Sequence, residues 1–576
     1  MSLRPLANLL AVSTPDPAEL LAVRERIEAS GAFDPPWSPA PGRLVAVSRL
    51  PGSSPDGEPV RAAGLAFAQG RDELAASGLG WEELGRLVAE RPETLDQLPG
   101  DFGLMHFRPT GEATVVRSAG GLVPFYVAGD GERWTVATTL EHVLRFHTED
   151  LGLDPLVNAI LTSGYDAAPD RRTFVAGVRL LGRGEYVRLG DGRAAFGRWW
   201  DPRQGAAPQP AADHAERLRS ALVQTLEREL DPQGNNLLAL SGGVDSSAVG
   251  ALAAGTLGHE VSTLTVLSDD EVARARDLRY IDALNEAVGF RRRRMVTVDR
   301  ERRLALLDEP GVPFHVPMPY LCLLPSVTSE WPVSVLVGGE FADHTVGSTL
   351  TLRDWARHTT LSGLWRARRA LPTGPADIRR WFVYRLRRAV RRPPVPWPPE
   401  LPALVRPELR AEYQEWLRDR RRAAARDDGP MPYLAMFLER QGFLGMHWEV
   451  TSALGLRRSF PFVTRELLEL GFECHPSELV GPGTKRLLRA ALAGDVPAVN
   501  LERPDKGRPG PPRGRGSRAW SGEIPGVLYP IFAPGWPPKG EIPYWDVHRG
   551  RQLVAFANAF ERSQGGRSIV QRENNT

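Results

Sequence analysis

Residues 236–247 read Asn236-Leu237-Leu238-Ala239-Leu240-Ser241-Gly242-Gly243-Val244-Asp245-Ser246-Ser247, and this stretch decides the architecture of the C-terminal part. Its apolar first half has the length of a buried strand, the Gly-Gly pair makes a turn, and residues 248–257 then have helical character. Backbone N–H groups in such a turn point into one concavity, and the start of the following helix adds positive potential, so the loop suits a phosphate. Gly242 and Gly243 let the backbone approach an anion closely, while Ser241, Ser246 and Ser247 offer hydroxyl donors. Asp245 would repel phosphate on its own, so its natural role is to hold Mg²⁺. An ordinary strand–helix turn would use Asp and Ser as caps, but it does not require the whole run. The chain has no Gly-x-x-x-x-Gly-Lys-Ser/Thr, so this is not a Walker A loop.

Outward from the loop, the strand-like runs 261–267, 294–298 and 333–339 alternate with helical stretches at 212–230 and 280–288. Such alternation implies an α/β domain with a parallel sheet. Upstream the pattern is different. Runs at 102–107, 113–117, 124–128 and 134–137, and a hairpin over 185–198, are short strands separated by Gly and Pro turns, which predicts antiparallel sheets. The Pro-, Gly- and Gln-rich residues 201–210 read as a linker. The expected domains are therefore 1–205 and 212–576, the second with an Arg/Pro-rich insertion near 350–430. No internal repeat is present.

At 576 residues the chain is too long for one compact core. Its 42% hydrophobic and 25% charged residues are ordinary for a globular protein. A net charge of +2 gives no global attraction to nucleic acid or membrane. With only Cys322 and Cys474, a disulfide framework and a Cys-based metal site are both excluded, and a reducing cytoplasm is the expected location. Neither a signal peptide nor an apolar run long enough to span a bilayer is legible.

The loop matches the pyrophosphate loop of enzymes that split ATP to AMP and pyrophosphate, and the C-terminal part resembles the synthetase domain of the asparagine synthetase family. Residues 335–347, with Gly339, Glu340 and Asp343, resemble that family's Gly-Glu-Gly-(Ala/Ser)-Asp-Glu-Leu-Phe-Gly segment. Arg458 to Phe462 resembles its Arg-Val-Pro-Phe segment, and Lys485 to Arg489 its Lys-x-x-Leu-Arg helix. Val496-Pro497 through Arg503 and Lys506 resembles its Leu-Pro…Arg-x-x-Lys ending. The resemblance implies a PP-loop ATPase fold using ATP and Mg²⁺. Asp245 and Asp343 would hold the metal, and Lys485 and Lys506 would contact pyrophosphate. Lys506 would also stabilise charge in the amide-forming step. Gly339 would lie near the ribose, Val266 near adenine, and Glu340 near the reacting groups. Two residues depart from the pattern: Phe341 stands where the family has glycine, and His344 stands where it has an acid.

The N-terminal part resembles the family's glutaminase domain through Leu98 to Phe102, Arg117 to Gly121, Pro124 to Tyr126, Ala137, 170–174 and Tyr186 to Pro202. This implies an Ntn-hydrolase-like antiparallel sandwich of the α+β class. The nucleophilic cysteine expected after Met1 is absent. Position 2 is Ser2, and the Gly-Ile-x-Gly run that should follow is missing. A hydroxyl needs far more activation than a thiol, so a scaffold without glutaminase activity is expected.

Without enzyme-made ammonia the amine must come from the substrate, as in the family's β-lactam synthetases and lasso-peptide cyclases. The Arg/Pro/Trp-rich insertion, with a Pro-Trp element at Trp397, resembles lasso cyclases and favours a peptide substrate. The expectation is a macrolactam synthetase that adenylates an Asp or Glu side chain and joins it to the peptide's N-terminal amine. A leader-binding protein and a leader peptidase would be its partners, with no role for nucleic acid or membrane. The alternatives are a β-lactam synthetase-type cyclase, a glutamine-independent asparagine synthetase, and a tRNA-modifying ATPase. The last would call for a basic face and usually a cysteine pair.

Overall fold

The computed structural model describes residues 8–47, 64–69, 78–98, 100–161, 171–190, 193–202, 211–297, 319–347, 405–426, 442–474, 476–479, 485–503, 517–519 and 541–543, with positions 74, 401, 438 and 531. Ten strands build the N-terminal part: β1 (Leu9–Ser13), β2 (Arg43–Val47), β3 (Leu65–Gln69), β4 (Gly103–Phe107), β5 (Ala113–Arg117), β6 (Tyr126–Asp130), β7 (Arg133–Ala137), β8 (Val178–Leu180), β9 (Glu185–Gly190) and β10 (Arg193–Arg198). They form two antiparallel sheets, ordered β2-β1-β7-β6-β8 and β10-β9-β5-β4-β3.

The period-two alternation of a strand explains the layering. On β1, Leu9 and Ala11 join the core cluster that holds Leu104, Val115 and Val187 of the other sheet. Leu10 and Val12 face the opposite way, into a cluster with Val23, Ile27, Val143 and Phe146 of two covering helices. The first of these, Pro17–Ser30, is locally specified at both ends. The Asp16 side chain accepts from the Ala18 and Glu19 N–H groups, Pro17 sits at its start, and Gly31 ends it at φ 64°. Strand β4 is buried throughout, because the helix Trp81–Glu90 packs on β4 and β5.

A parallel sheet follows, ordered β13-β12-β11-β14-β15, with β11 (Asn236–Ala239), β12 (Val261–Leu267), β13 (Arg292–Thr297), β14 (Val335–Gly338) and β15 (Arg457–Ser459). Its central strand β11 pairs in parallel with both β12 and β14. The strand order reverses there, and in such sheets ligands bind in the crevice beyond the carboxyl ends of the strands at the reversal. The helix His214–Glu229 buries Leu218, Leu222 and Leu226 along one stripe. The helix expected over 280–288 runs from Glu271 to Val288, capped by the Asp270 side chain on the Ala273 N–H. Strands β1 to β3, β8 and β15 match none of the runs named from the sequence. β8 and β15 are three residues long each, too short for any periodicity to show.

The two parts share one apolar cluster, in which Phe102 and Trp200 occur with Leu467 and Phe472. Polar ties cross the same boundary. Trp200 Nε1 donates to Glu469 Oε1 at 2.8 Å, Trp448 Nε1 to Asn8 Oδ1 at 3.0 Å, and the Leu140 N–H to Glu449 Oε1 at 3.2 Å. Residues 203–210 of the expected 201–210 linker and most of the 350–430 insertion lie outside the described residues, as do Ser2 and Lys506. Within the insertion, helix Pro407–Arg426 is described, and Glu412 pairs with Arg172 of the N-terminal part at 3.6 Å. Among the described residues no helix is long and apolar enough to cross a membrane.

Candidate active site

The loop 241–247 leaves the carboxyl end of β11, and Gly338–Gly339 leave that of β14 beside it, so both line the crevice where the strand order reverses. Gly242 takes φ 67°, a conformation that costs glycine nothing. Gly339 meets the backbone of Asp245 and Ser246 so closely that a Cβ there would overlap the Asp245 Cβ at 2.8 Å. This contact seats the end of β14 against the loop and explains why the position excludes any side chain.

The expected metal ligands and one expected lysine come together. Lys485 Nζ contacts Asp245 Oδ2 and lies 2.8 Å from Asp343 Oδ1. Burial works against its charged form, but Asp245 and Asp343 outweigh it and raise the lysine pKa above its ordinary value. One cation thus sits between two carboxylates drawn from two different strand ends. Two carboxylate oxygens converging on one cationic centre are a donor set that suits Mg²⁺, so these residues fit the metal that the sequence implies.

The serines divide. Ser246 Oγ lies 3.1 Å from Ser241 Oγ and donates to the Gly243 carbonyl at 3.2 Å, clasping the turn from within. Ser247 is fully buried, and its Oγ accepts from Asn500 Nδ2 at 3.2 Å, so it braces the segment Ala498–Leu501 instead of facing the crevice. Val266 is half-buried near the end of β12, packed on the cluster around Leu264 and Leu336.

A second group adjoins the ion triad, joining Glu340 and Arg458, which the motifs named, to Tyr320 and His447, which they did not. The Tyr320 hydroxyl donates to Glu340 Oε1, and Arg458 Nη2 pairs with Glu340 Oε2 at 2.8 Å. Arg458 is fully buried, donates from Nη1 to the Leu336 carbonyl at 2.9 Å, and stacks 4.1 Å from the Phe460 ring. Burial, then Glu340, push the Tyr320 hydroxyl well above its ordinary pKa, so the phenol keeps its proton. His447, beside Tyr320 and Phe460, is held neutral by burial and by Arg458. Arg458 was visible as part of a motif, but Tyr320 had no signal. It lies on helix Pro319–Glu330, and only packing brings it to Glu340.

Phe341 has φ 72° and Lys485 φ 63°, two of the three non-glycine residues with positive φ among the described residues. The glycine that the family places at position 341 would adopt that angle without strain. Phenylalanine does so at a cost of roughly 1–2 kcal/mol, offset by its edge-on packing at 5.0 Å against Phe460 and its contact with the His344 ring. His344 donates its backbone N–H to the Phe341 carbonyl at 2.8 Å.

Away from the crevice, donor atoms of His214, Cys474 and Glu478 lie within 4.8 Å of one another, a cluster that the cysteine count did not anticipate. Glu478 there joins two helix starts, accepting from the Ala211 N–H at 3.4 Å and lying 3.0 Å from His214 Nδ1.

The family model described as asparagine synthase matches residues 217–559, well over half of the chain. No curated protein matches. Among solved structures, the NMN synthetase from Francisella tularensis is 14% identical with a TM-score of 0.16, covering 27% of this chain, which spans 58% of that enzyme's length. The glutamine phosphoribosylpyrophosphate amidotransferase from B. subtilis, complexed with ADP and GMP, is 11% identical with a TM-score of 0.21, covering 62% of this chain and 79% of its own. At such scores the likeness assigns neither activity nor ligand.

Proposed function

The chain belongs to the asparagine synthase family, whose members are ATP-dependent, AMP-forming carbon–nitrogen ligases, and from that premise we propose that it is a lasso-peptide cyclase. An Asp or Glu side chain of a core peptide attacks the α-phosphate of ATP, giving an acyl-adenylate and pyrophosphate. The peptide's N-terminal amine then attacks the acyl carbon, and AMP leaves as the isopeptide ring closes.

The observation that carries the reading is the Tyr320–Glu340 pair beside the Asp245–Lys485–Asp343 triad. Ammonia released by a glutaminase arrives neutral, whereas a peptide's α-amine, with a pKa of about 7.7–8.0, is largely protonated at neutral pH. Any attacking amine sheds a proton as the amide forms, but an α-ammonium must shed one more before it can attack, so a site that joins it has the greater need of a proton acceptor. The Tyr320 oxygen can take that proton while its own passes to Glu340, which Arg458 holds in place. Mg²⁺, held by Asp245 and Asp343, would neutralise phosphate charge. Lys485 would accompany the departing pyrophosphate, and Lys506, in the segment after Arg503, would offset charge on the acyl oxygen and AMP. Tethering both reacting groups in one peptide supplies the proximity that makes closure fast. A leader-binding protein and a leader peptidase would deliver the free amine.

The test is incubation with ATP, Mg²⁺ and a synthetic core peptide carrying Asp or Glu at candidate ring positions. The expected product is the peptide less one water, with one AMP and one pyrophosphate per ring. ADP and phosphate in their place would overturn the adenylation chemistry. A linear amide made from free ammonia would overturn the cyclase reading.

A further inference from the structure

Arg503 is placed where no role has been assigned to it. Only 2% of its side chain is exposed, and its guanidinium makes three contacts at once. Nη1 donates to the Gly242 carbonyl at 2.6 Å, Nη2 pairs with Asp277 Oδ1, and the guanidinium carbon lies 4.4 Å from the Tyr280 ring. Asp277 and Tyr280 both belong to the helix Glu271–Val288. The backbone of Arg503 is itself tied, its carbonyl accepting from Arg489 Nη2 at 2.8 Å. Three residues earlier, Asn500 Nδ2 spans the same gap, donating to Ser247 Oγ and, at 2.8 Å, to the Tyr280 carbonyl. The segment 498–503 therefore clamps the loop to the neighbouring helix from behind.

The consequence follows from the geometry of a peptide unit. In a trans peptide the C=O and the next residue's N–H are coplanar and point in opposite directions. The Gly242 oxygen is drawn to Arg503, so the Gly243 N–H points away from it, to the side where Ser241 Oγ accepts from it over a long 3.4 Å, a contact that a phosphate oxygen could replace. With φ 67° at Gly242 and no Cβ on either flanking residue, this peptide is otherwise held, among the described residues, by the longer 3.4 Å contact with Ser241 Oγ. We propose that Arg503 is the positioning residue of the phosphate loop: it fixes the Gly242–Gly243 peptide so that the Gly243 N–H faces the pyrophosphate part of the nucleotide, without touching the ligand itself. The inference rests on the ATP-binding reading of this loop.

A merely structural salt bridge would alter stability and leave ligand affinity alone, so the measurement is affinity. Arg503→Lys keeps the charge but loses the fork that reaches Gly242 and Asp277 together. Arg503→Gln retains a neutral donor for the Gly242 oxygen. Magnesium pyrophosphate is titrated calorimetrically into each protein without peptide, and KM for ATP and kcat are measured with peptide. The expected result for Arg503→Lys is a loss of pyrophosphate affinity and a rise in KM of about tenfold, equivalent to 1.4 kcal/mol. Its kcat at saturating ATP should stay within about threefold, and Arg503→Gln should recover part of the affinity. Pyrophosphate affinity equal to wild type in a folded Arg503→Lys protein would overturn the proposal, as would a fall in kcat with KM unmoved. If Arg503→Lys does not fold, Asp277→Asn loosens the same clamp and answers the same question. A wild-type protein that binds no pyrophosphate would overturn the reading of the loop itself, a result distinct from equal binding by wild type and variant.

Discussion

Replacing Lys485 with methionine keeps most of the side chain's length and removes its charge. In the structure that charge lies 2.8 Å from Asp343 Oδ1 and in contact with Asp245 Oδ2. At an effective permittivity of about 20, a pair at 2.8 Å is attracted by about 6 kcal/mol before desolvation. Water around Asp343, whose side chain is 47% exposed, removes most of its share, leaving about 1 kcal/mol or less. Lys485 at 9% and Asp245 at 18% are largely shielded, so removing the ammonium from beside Asp245 should cost about 2–4 kcal/mol, toward the lower end of values for broken buried pairs. The two carboxylates left facing each other form a site of charge −2 that a divalent cation can fill. Lys485→Met is therefore expected to lower Tm in metal-free buffer and to recover it with Mn²⁺ alone. Its Mn²⁺ affinity, read by electron paramagnetic resonance without nucleotide, should exceed that of wild type by at least about tenfold. In wild type the ammonium holds the place, and metal should enter only with the nucleotide's phosphates. Equal Mn²⁺ affinity in wild type and variant, or no loss of stability, would refute this account of Lys485 as a stand-in cation.

Three further outcomes are expected. Tyr320→Phe should leave ATP–pyrophosphate exchange near normal and slow ring closure by about 10²-fold or more, whereas equal slowing of both half-reactions would remove Tyr320 from proton transfer. At saturating ATP and peptide, Lys506→Ala should lower kcat by about 10²–10³-fold, and a spared kcat with raised KM would reduce it to a ground-state phosphate ligand. Burial raises the Glu449 carboxyl to about 8, a rise that the Leu140 N–H reduces and Glu141 reinforces, while in the unfolded chain its pKa is about 4.3. The folded protein thus binds a proton that the unfolded chain lacks between those values, and stability falls as pH rises through that window. Urea denaturation at pH 5 and pH 8 should show a smaller loss for Glu449→Gln than for wild type, and parallel losses would mean that Glu449 does not titrate in this way.

The run from Asn236 to Ser247 announces a strand, a Gly turn and a helix, because strand length, glycine freedom and helix onset are local properties written in consecutive residues. Strand–helix alternation announced the parallel sheet for the same reason. Asp245, Asp343, Glu340 and Lys485 could be named from motifs, since their neighbours in the chain carry the pattern. The sequence could not say that Lys485 sits between the two aspartates, because an ion pair spanning 240 residues depends on how β11, β14 and the 485–491 helix start come together. Tyr320 gave no sign for the same reason, as it meets Glu340 only through the packing of helix Pro319–Glu330 on the sheet. Ser247 shows the converse: its place in the motif suggested a phosphate donor, and tertiary packing turned it inward to Asn500. The departure at Phe341 was legible as a letter, but its meaning was not. Only the backbone angle shows that the position needs positive φ, and only the neighbouring Phe460 ring shows what offsets the strain. Local chemistry along the chain was thus enough to name the residues, while their partners and the directions they face were set by contacts between segments distant in sequence, which no local pattern encodes.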